Sequence, residues 1–242
     1  MTGNPDSSTR QSHFRRGATD IFPVLFSAVP FGLVFGALAA EKGIAFDQVI
    51  LMSALMYAGA SQMVAVELWG FPPPFWTILI AVLAVNFRHV LYSASLGRKM
   101  KNWPITRRFF GFGFMVDPVF ALADAQSPTH VSGAYYAGMT VALYPAWIVA
   151  SAVGAVFGNL IQNPERWGLD FIIAAYFTVL VLGFRSRPNA FLVIVATSAV
   201  AVLVYLTIGP PWHVVSGGVA GILAAAALAN PKSGAEIPEP RR

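Results

Sequence analysis

A chain of 242 residues that is 56% hydrophobic and only 11% charged is not built for water, because soluble domains carry roughly 25% charged residues. Its net charge of +5 sits in tails and connections, with no basic strip and interleaved exposed aromatics, so nucleic acid is not expected as a partner. Cysteine is absent and the histidines have no His/Glu metal spacing, which excludes disulfides, thiolate chemistry and an obvious metal site; no cofactor is expected.

The first sixteen residues are polar and end in Phe14-Arg15-Arg16, ahead of an apolar stretch too long for a signal-peptide core. They read as a cytoplasmic tail. Eight apolar segments follow, near 17–40, 48–69, 75–97, 106–125, 133–162, 169–184, 188–208 and 211–230. Two long runs, 133–162 and 190–211, contain no charge and are long enough to cross a hydrocarbon core of ~30 Å. A lipid-exposed backbone must satisfy its own hydrogen bonds, and the polar/apolar alternation of a barrel is missing. The expected fold is therefore an all-α polytopic membrane protein, a single membrane domain over 17–230 with lipid around it. Residues 231–242, rich in proline and charge, are expected to be disordered.

An internal repeat shows when the first and fifth segments are aligned. Phe22-Pro23 lies over Tyr144-Pro145, and Gly32-Leu33-Val34-Phe35-Gly36-Ala37-Leu38 over Gly154-Ala155-Val156-Phe157-Gly158-Asn159-Leu160, with Asp47 meeting Asp170 downstream. Two repeats follow, near 17–125 and 133–230. Charge then constrains topology. Arg10, Arg15 and Arg16 in the tail and Arg98, Lys99, Lys101, Arg107 and Arg108 in the 98–108 connection should share the cytoplasmic side. Three full crossings between them would separate them. The second segment, with Gly59-Ala60-Ser61-Gln62 at its middle, is the expected re-entrant one. Its counterpart, the sixth, has an uncharged run 171–184 that reaches only about 21 Å as a helix. Six crossings with two re-entrant hairpins would put both termini in the cytoplasm, set segments one and five antiparallel and make the repeats inverted. Eight full crossings with one exception to the charge bias is the alternative.

Asn86-Phe87-Arg88-His89 sits deep in the third segment, where an arginine costs ~2.5–3.5 kcal/mol unless it finds an interior partner, a wet cavity or the interface. Arg88 either reaches toward the basic connection or faces a cavity with Asp117 or a substrate carboxylate as partner. Asp117-Pro118 lies in the fourth segment, where the proline frees the carbonyl of Phe114; a carboxylate at such a break suits a proton or cation, or simply an ion pair between helices. Tyr57, Gly59, Ser61 and Gln62 offer broken backbone, a hydroxyl and an amide for the two ends of an amino acid, or small residues for helix packing.

Together, Gly59-Ala60-Ser61-Gln62, Asn86-Phe87-Arg88-His89-Val90-Leu91-Tyr92 and Asp117-Pro118-Val119-Phe120-Ala121-Leu122 resemble the large subunit of AzlC-type branched-chain amino acid exporters, from Phe14 to about Asn230. The resemblance implies export of valine, leucine, isoleucine or other hydrophobic amino acids across the bacterial inner membrane, driven by protons, with a small AzlD-type membrane subunit as partner. Tyr57, Gly59, Ser61, Gln62, Asn86, Arg88 and His89 are then the substrate-binding candidates and Asp117 the proton-coupling one. The family often has an acidic residue directly after that aspartate, where this chain has Pro118, leaving Asp117 to act alone. Rival classes are weaker. A rhomboid-like enzyme needs Gly-x-Ser-Gly, and Gln62 stands where the glycine belongs; a permease subunit driven by ATP needs a longer coupling element than 98–108, and no Walker motif is present.

Overall fold

The structure, a computed structural model, describes residues 5–127, 129–158, 178, 181–182, 185, 187–209 and 212–228. These residues form helices and connections, with no strand among them. Two compact units are present, Met1–Leu180 and Val181–Arg242. The chain is a multi-pass membrane protein.

In the first unit, α1 (Pro5–Glu41) is one helix containing Pro23 and Pro30. It already includes Arg10, Arg15 and Arg16, so the polar tail is helical from Pro5 onward, consistent with proline's suitability for a first helical turn. The second apolar segment is two short helices, α2 (Phe46–Leu55) and α3 (Gly59–Glu67), separated by extended backbone at 56–58. The third is α4 (Phe75–Asn86) and α5 (Arg88–Lys99), interrupted only at Phe87 and together long enough to span. The fourth is again two short helices, α6 (Ile105–Gly113) and α7 (Asp117–Gln126). Then α8 (Gly133–Phe157) spans, capped at its start by Ser132, whose hydroxyl accepts from the Tyr135 N–H.

The short helices have 10, 9, 9 and 10 residues, so each reaches ~13–15 Å, half of a ~30 Å hydrocarbon core. Both pairs turn back. Gly43, just before α2, lies against the ring of Phe71, just after α3, so the α2–α3 hairpin enters and leaves at one face. At the other face Lys99 pairs with Asp124, Val131 N–H donates to the Lys99 carbonyl, and Trp103 packs on Gly111 and Gly133. The α6–α7 hairpin therefore starts and ends beside the C-terminus of α5. The expected full fourth crossing is corrected: Pro118 does not kink a helix, it opens one, with Asp117 in the first turn where a carboxylate suits the helix dipole.

This second hairpin also reverses the expected sense of the repeat. Gly17 faces Tyr135 and Met139, Gly32 faces Trp147 and Ala150, Gly36 faces Ser151 and Ala155, and Gly154 and Gly158 face Leu33 and Ala37. Contacts that climb together in both helices mean that α1 and α8 run parallel, not antiparallel. Inverted repeats built on these two segments are overturned, because a hairpin returns the chain to its starting face and leaves α8 to cross in the direction of α1. The two copies of the glycine motif form the seam, where an added Cβ would strike the facing helix's backbone at Gly36, Gly154 and Gly158 and the Ala150 side chain at Gly32. The basic residues now agree. Arg15 and Arg16, at the start of α1, and Arg98, Lys99, Lys101, Arg107 and Arg108 all lie at the face where α5 ends and α8 begins.

In the second unit, α9 (Ala190–Thr207) and α10 (Trp212–Leu228) form an antiparallel pair, Gly217 on Ala201, Gly221 on Thr197, and the Asn189 amide donating to the Leu228 carbonyl. Apart from residues 178, 181 and 182, the sixth segment lies outside the described residues, as do Asp170 and the tail 231–242.

Candidate functional site

The two hairpins enter from opposite faces, and their breaks meet: the ring of Tyr57 lies 6.4 Å from that of Phe114. Between them, beside the interruption of the α4–α5 span, is a cavity of about 30 Å³. Its walls are Ala28 and Phe31 of α1, residues 57–60, Arg88 and His89, residues 116–118, and Leu143 and Trp147 of α8. All three irregular backbone stretches contribute, which is where non-helical backbone at membrane depth is tolerated. The volume suits ~1–2 water molecules and falls far short of the ~300 Å³ of a small-molecule pocket.

One ion pair dominates the site. Arg88 Nη1 lies 2.9 Å from Asp117 Oδ2, and the Tyr92 hydroxyl donates to Asp117 Oδ1 at 2.7 Å. Tyr92 is held for this by stacking on Phe120 of α7, 4.1 Å between centroids. Arg88 therefore does not reach to the headgroups. Its Nε is buried without a hydrogen-bond partner, leaving a donor unused beside the cavity. The His89 ring sits between two carbonyl oxygens, Asn86 at 3.2 Å from Nδ1 and Met115 at 3.1 Å from Nε2.

The other candidates separate into two groups. Tyr57 and Gly59 line the cavity with Arg88, His89 and Asp117. Ser61, Gln62 and Asn86 do not. Gln62 is wholly buried, and its amide donates to Ser53 Oγ at 3.3 Å and accepts from Trp147 Nε1 at 2.9 Å. It locks α3 to α2 and α8, so the expected grip on a substrate's ends is not available to it in this conformation. Ser61, also buried, donates to Asn86 Oδ1 at 2.6 Å and ties α3 to the end of α4. Gly59 packs tightly on α8 and α1: an added Cβ would fall 2.8 Å from the Trp147 ring and 3.0 Å from that of Phe31.

Sequence reasoning did not single out Tyr92, Trp147, Met115 or the Lys99–Asp124 pair. For Tyr92 a signal existed, since four residues after Arg88 on a helix it must share that residue's face. Asp124 and Lys99 lie 2.8 Å apart with Ser95 donating to the same carboxylate oxygen, closing the base of the second hairpin. Among the described residues no His/Cys/Asp/Glu group could hold a metal.

Residues 23–161, more than half of the chain, match the family described as AzlC protein. The chain is 27% identical over 230 residues to the inner membrane protein YgaZ of Escherichia coli, covering 91% of this chain and 93% of that one. It is 28% identical over 174 residues to the branched-chain amino acid transport protein AzlC of Bacillus subtilis, 70% of this chain and 66% of that one. An uncharacterized membrane protein of Archaeoglobus fulgidus is 28% identical over 179 residues, 73% of this chain and 78% of its own. No solved structure matches. The chain belongs to the AzlC family.

Proposed function

We propose that this AzlC-family chain carries branched-chain or other hydrophobic amino acids outward across the bacterial inner membrane, coupled to the proton gradient. The observation that carries the reading is the Arg88–Asp117 pair at a cavity between two opposed half-membrane hairpins. An amino acid presents one carboxylate, one ammonium and, here, an apolar side chain. The cavity offers a guanidinium, a carboxylate and the apolar walls Phe31, Leu143 and Trp147. The substrate carboxylate takes Arg88, assisted by the N–H groups of Gly59 and Ala60, which open α3 at the cavity wall. Its ammonium takes Asp117. A proton competes with that ammonium for the same carboxylate, as an exchanger of protons for amino acid requires.

The small cavity fits the occluded stage of such a cycle, so binding requires the hairpins to part. The face carrying the basic residues is the cytoplasmic one by the positive-inside bias, which places the N-terminus in the cytoplasm. A small AzlD-type subunit completes the working unit, as the family resemblance implies. The AzlC relative's name supports the substrate class and the YgaZ relative's name the membrane.

The test loads cells with a valine- or leucine-containing dipeptide and follows amino acid efflux with and without the chain and a small partner. Chain-dependent efflux that collapses with a protonophore is expected. Efflux indifferent to the chain would remove the reading, and efflux that survives the protonophore but needs ATP would replace it with a permease subunit.

A further inference from the structure

We propose that His89 is a second proton-binding site, separate from Asp117, and that its doubly protonated ring fastens the break of the second hairpin to the end of α4 in the occluded state. A neutral imidazole has one N–H and one lone pair; only the imidazolium donates from both nitrogens. Here each nitrogen faces a backbone carbonyl oxygen, at 3.2 Å and 3.1 Å. One of these contacts would be two lone pairs meeting if the ring were neutral. Both contacts are hydrogen bonds at once only when the ring carries two protons.

Asn86 closes α4, and its side-chain oxygen accepts from Ser61 of the first hairpin. Met115 lies in the break of the second hairpin, its side chain almost wholly buried. A continuous run of hydrogen bonds thus passes from α3 through Asn86 and His89 to the α6–α7 break. Loss of the Nε2 proton into the adjoining cavity cuts this run at Met115, and residues 115–117 are then held to the span only by the Arg88 and Tyr92 bonds to Asp117. The groups facing the ring are Arg88 and Tyr92 on its own helix and Asp117 on α7; the first two present donors and the last a carboxylate already held by both of them. The inference goes beyond the transport reading and holds whatever the substrate is.

The test uses the full chain in lipid and no substrate. Nitrogen NMR of histidine-labelled protein, with His89 assigned by the signal missing from H89Q, reports directly how many protons the ring holds. In parallel, Val116→Cys, unique in a chain without cysteine, is alkylated across roughly pH 5 to 8, the interval in which histidine titrates. The expected result is an imidazolium at the acid end that loses one proton within the interval, with the alkylation rate rising at least ~5-fold over the same interval and the rise absent when H89Q is added. A His89 ring that keeps one protonation state throughout overturns the proposal, as does a pH-dependent rate that H89Q leaves unchanged; if H89Q does not fold, replacing His13, His130 and His213 by Gln leaves His89 as the one labelled ring and the NMR result still decides.

Discussion

The two hairpins have the same architecture and opposite chemistry. The α2–α3 hairpin is held by neutral groups, Gln62 to Ser53 and Trp147, Ser61 to Asn86, and the Tyr144 hydroxyl to the Ala54 carbonyl. The α6–α7 hairpin is held by charge, Asp117 to Arg88 at its tip and Asp124 to Lys99 at its base. Neutral bonds inside a membrane protein do not change when a proton arrives, whereas an ion pair between half-helices is undone by anything that brings its own charge. The comparison teaches which hairpin is the scaffold and which can respond to a zwitterion or a proton.

Breaking the charged side should have the largest effect. Arg88→Gln leaves Asp117 as an uncompensated interior carboxylate, a change that costs about 3–5 kcal/mol for buried pairs, measured as loss of thermal stability in detergent. Adding Asp117→Asn should recover most of that stability without recovering export. Asp117→Asn alone should insert normally and abolish gradient-driven valine export; normal export by this variant would take Asp117 out of the mechanism.

A smaller effect is expected on the neutral side. Gln62→Leu strands the Trp147 indole N–H in a buried position, at a cost of about 1–3 kcal/mol. Export per folded molecule should stay within a few-fold of the parent, because Gln62 does not line the cavity. A loss of export out of proportion to the loss of folded protein would erase the distinction between the hairpins. Smallest of all, Tyr92→Phe removes one interhelical hydrogen bond of a kind worth ~0.6 kcal/mol in a bilayer. Its mark should be a modest rise in the half-saturating valine concentration.

Much of this was legible in the sequence because chemistry is local. The Asn-x-Arg-His stretch, the Asp-Pro pair and the Gly-Ala-Ser-Gln run stand out by residue type at membrane depth, and the structure brings Arg88 and His89, Asp117 and Pro118, and Gly59 and Ala60 together at one cavity. Gln62 lies outside the cavity for a definite reason: the break falls at 56–58, so Gln62 is already a turn into α3 and its direction depends on Trp147, 85 residues away, which no local pattern reveals. The sense of α8 was lost through the fourth segment, whose run of apolar residues reads as a span. Gly113 and Pro118 bracket its break, yet the same pair could have marked a kinked full crossing. Only the Lys99–Asp124 closure and the contacts of Trp103 show that the chain returns.

The most direct test asks whether an amino acid enters the space between the hairpin tips. In the cysteine-free chain, Ala60→Cys places a single thiol at the cavity wall, and its alkylation rate can be followed as valine is added. Protection that saturates at the valine concentration half-saturating efflux is the predicted result. An alkylation rate untouched by valine while efflux proceeds would contradict a substrate site held by Arg88 and Asp117.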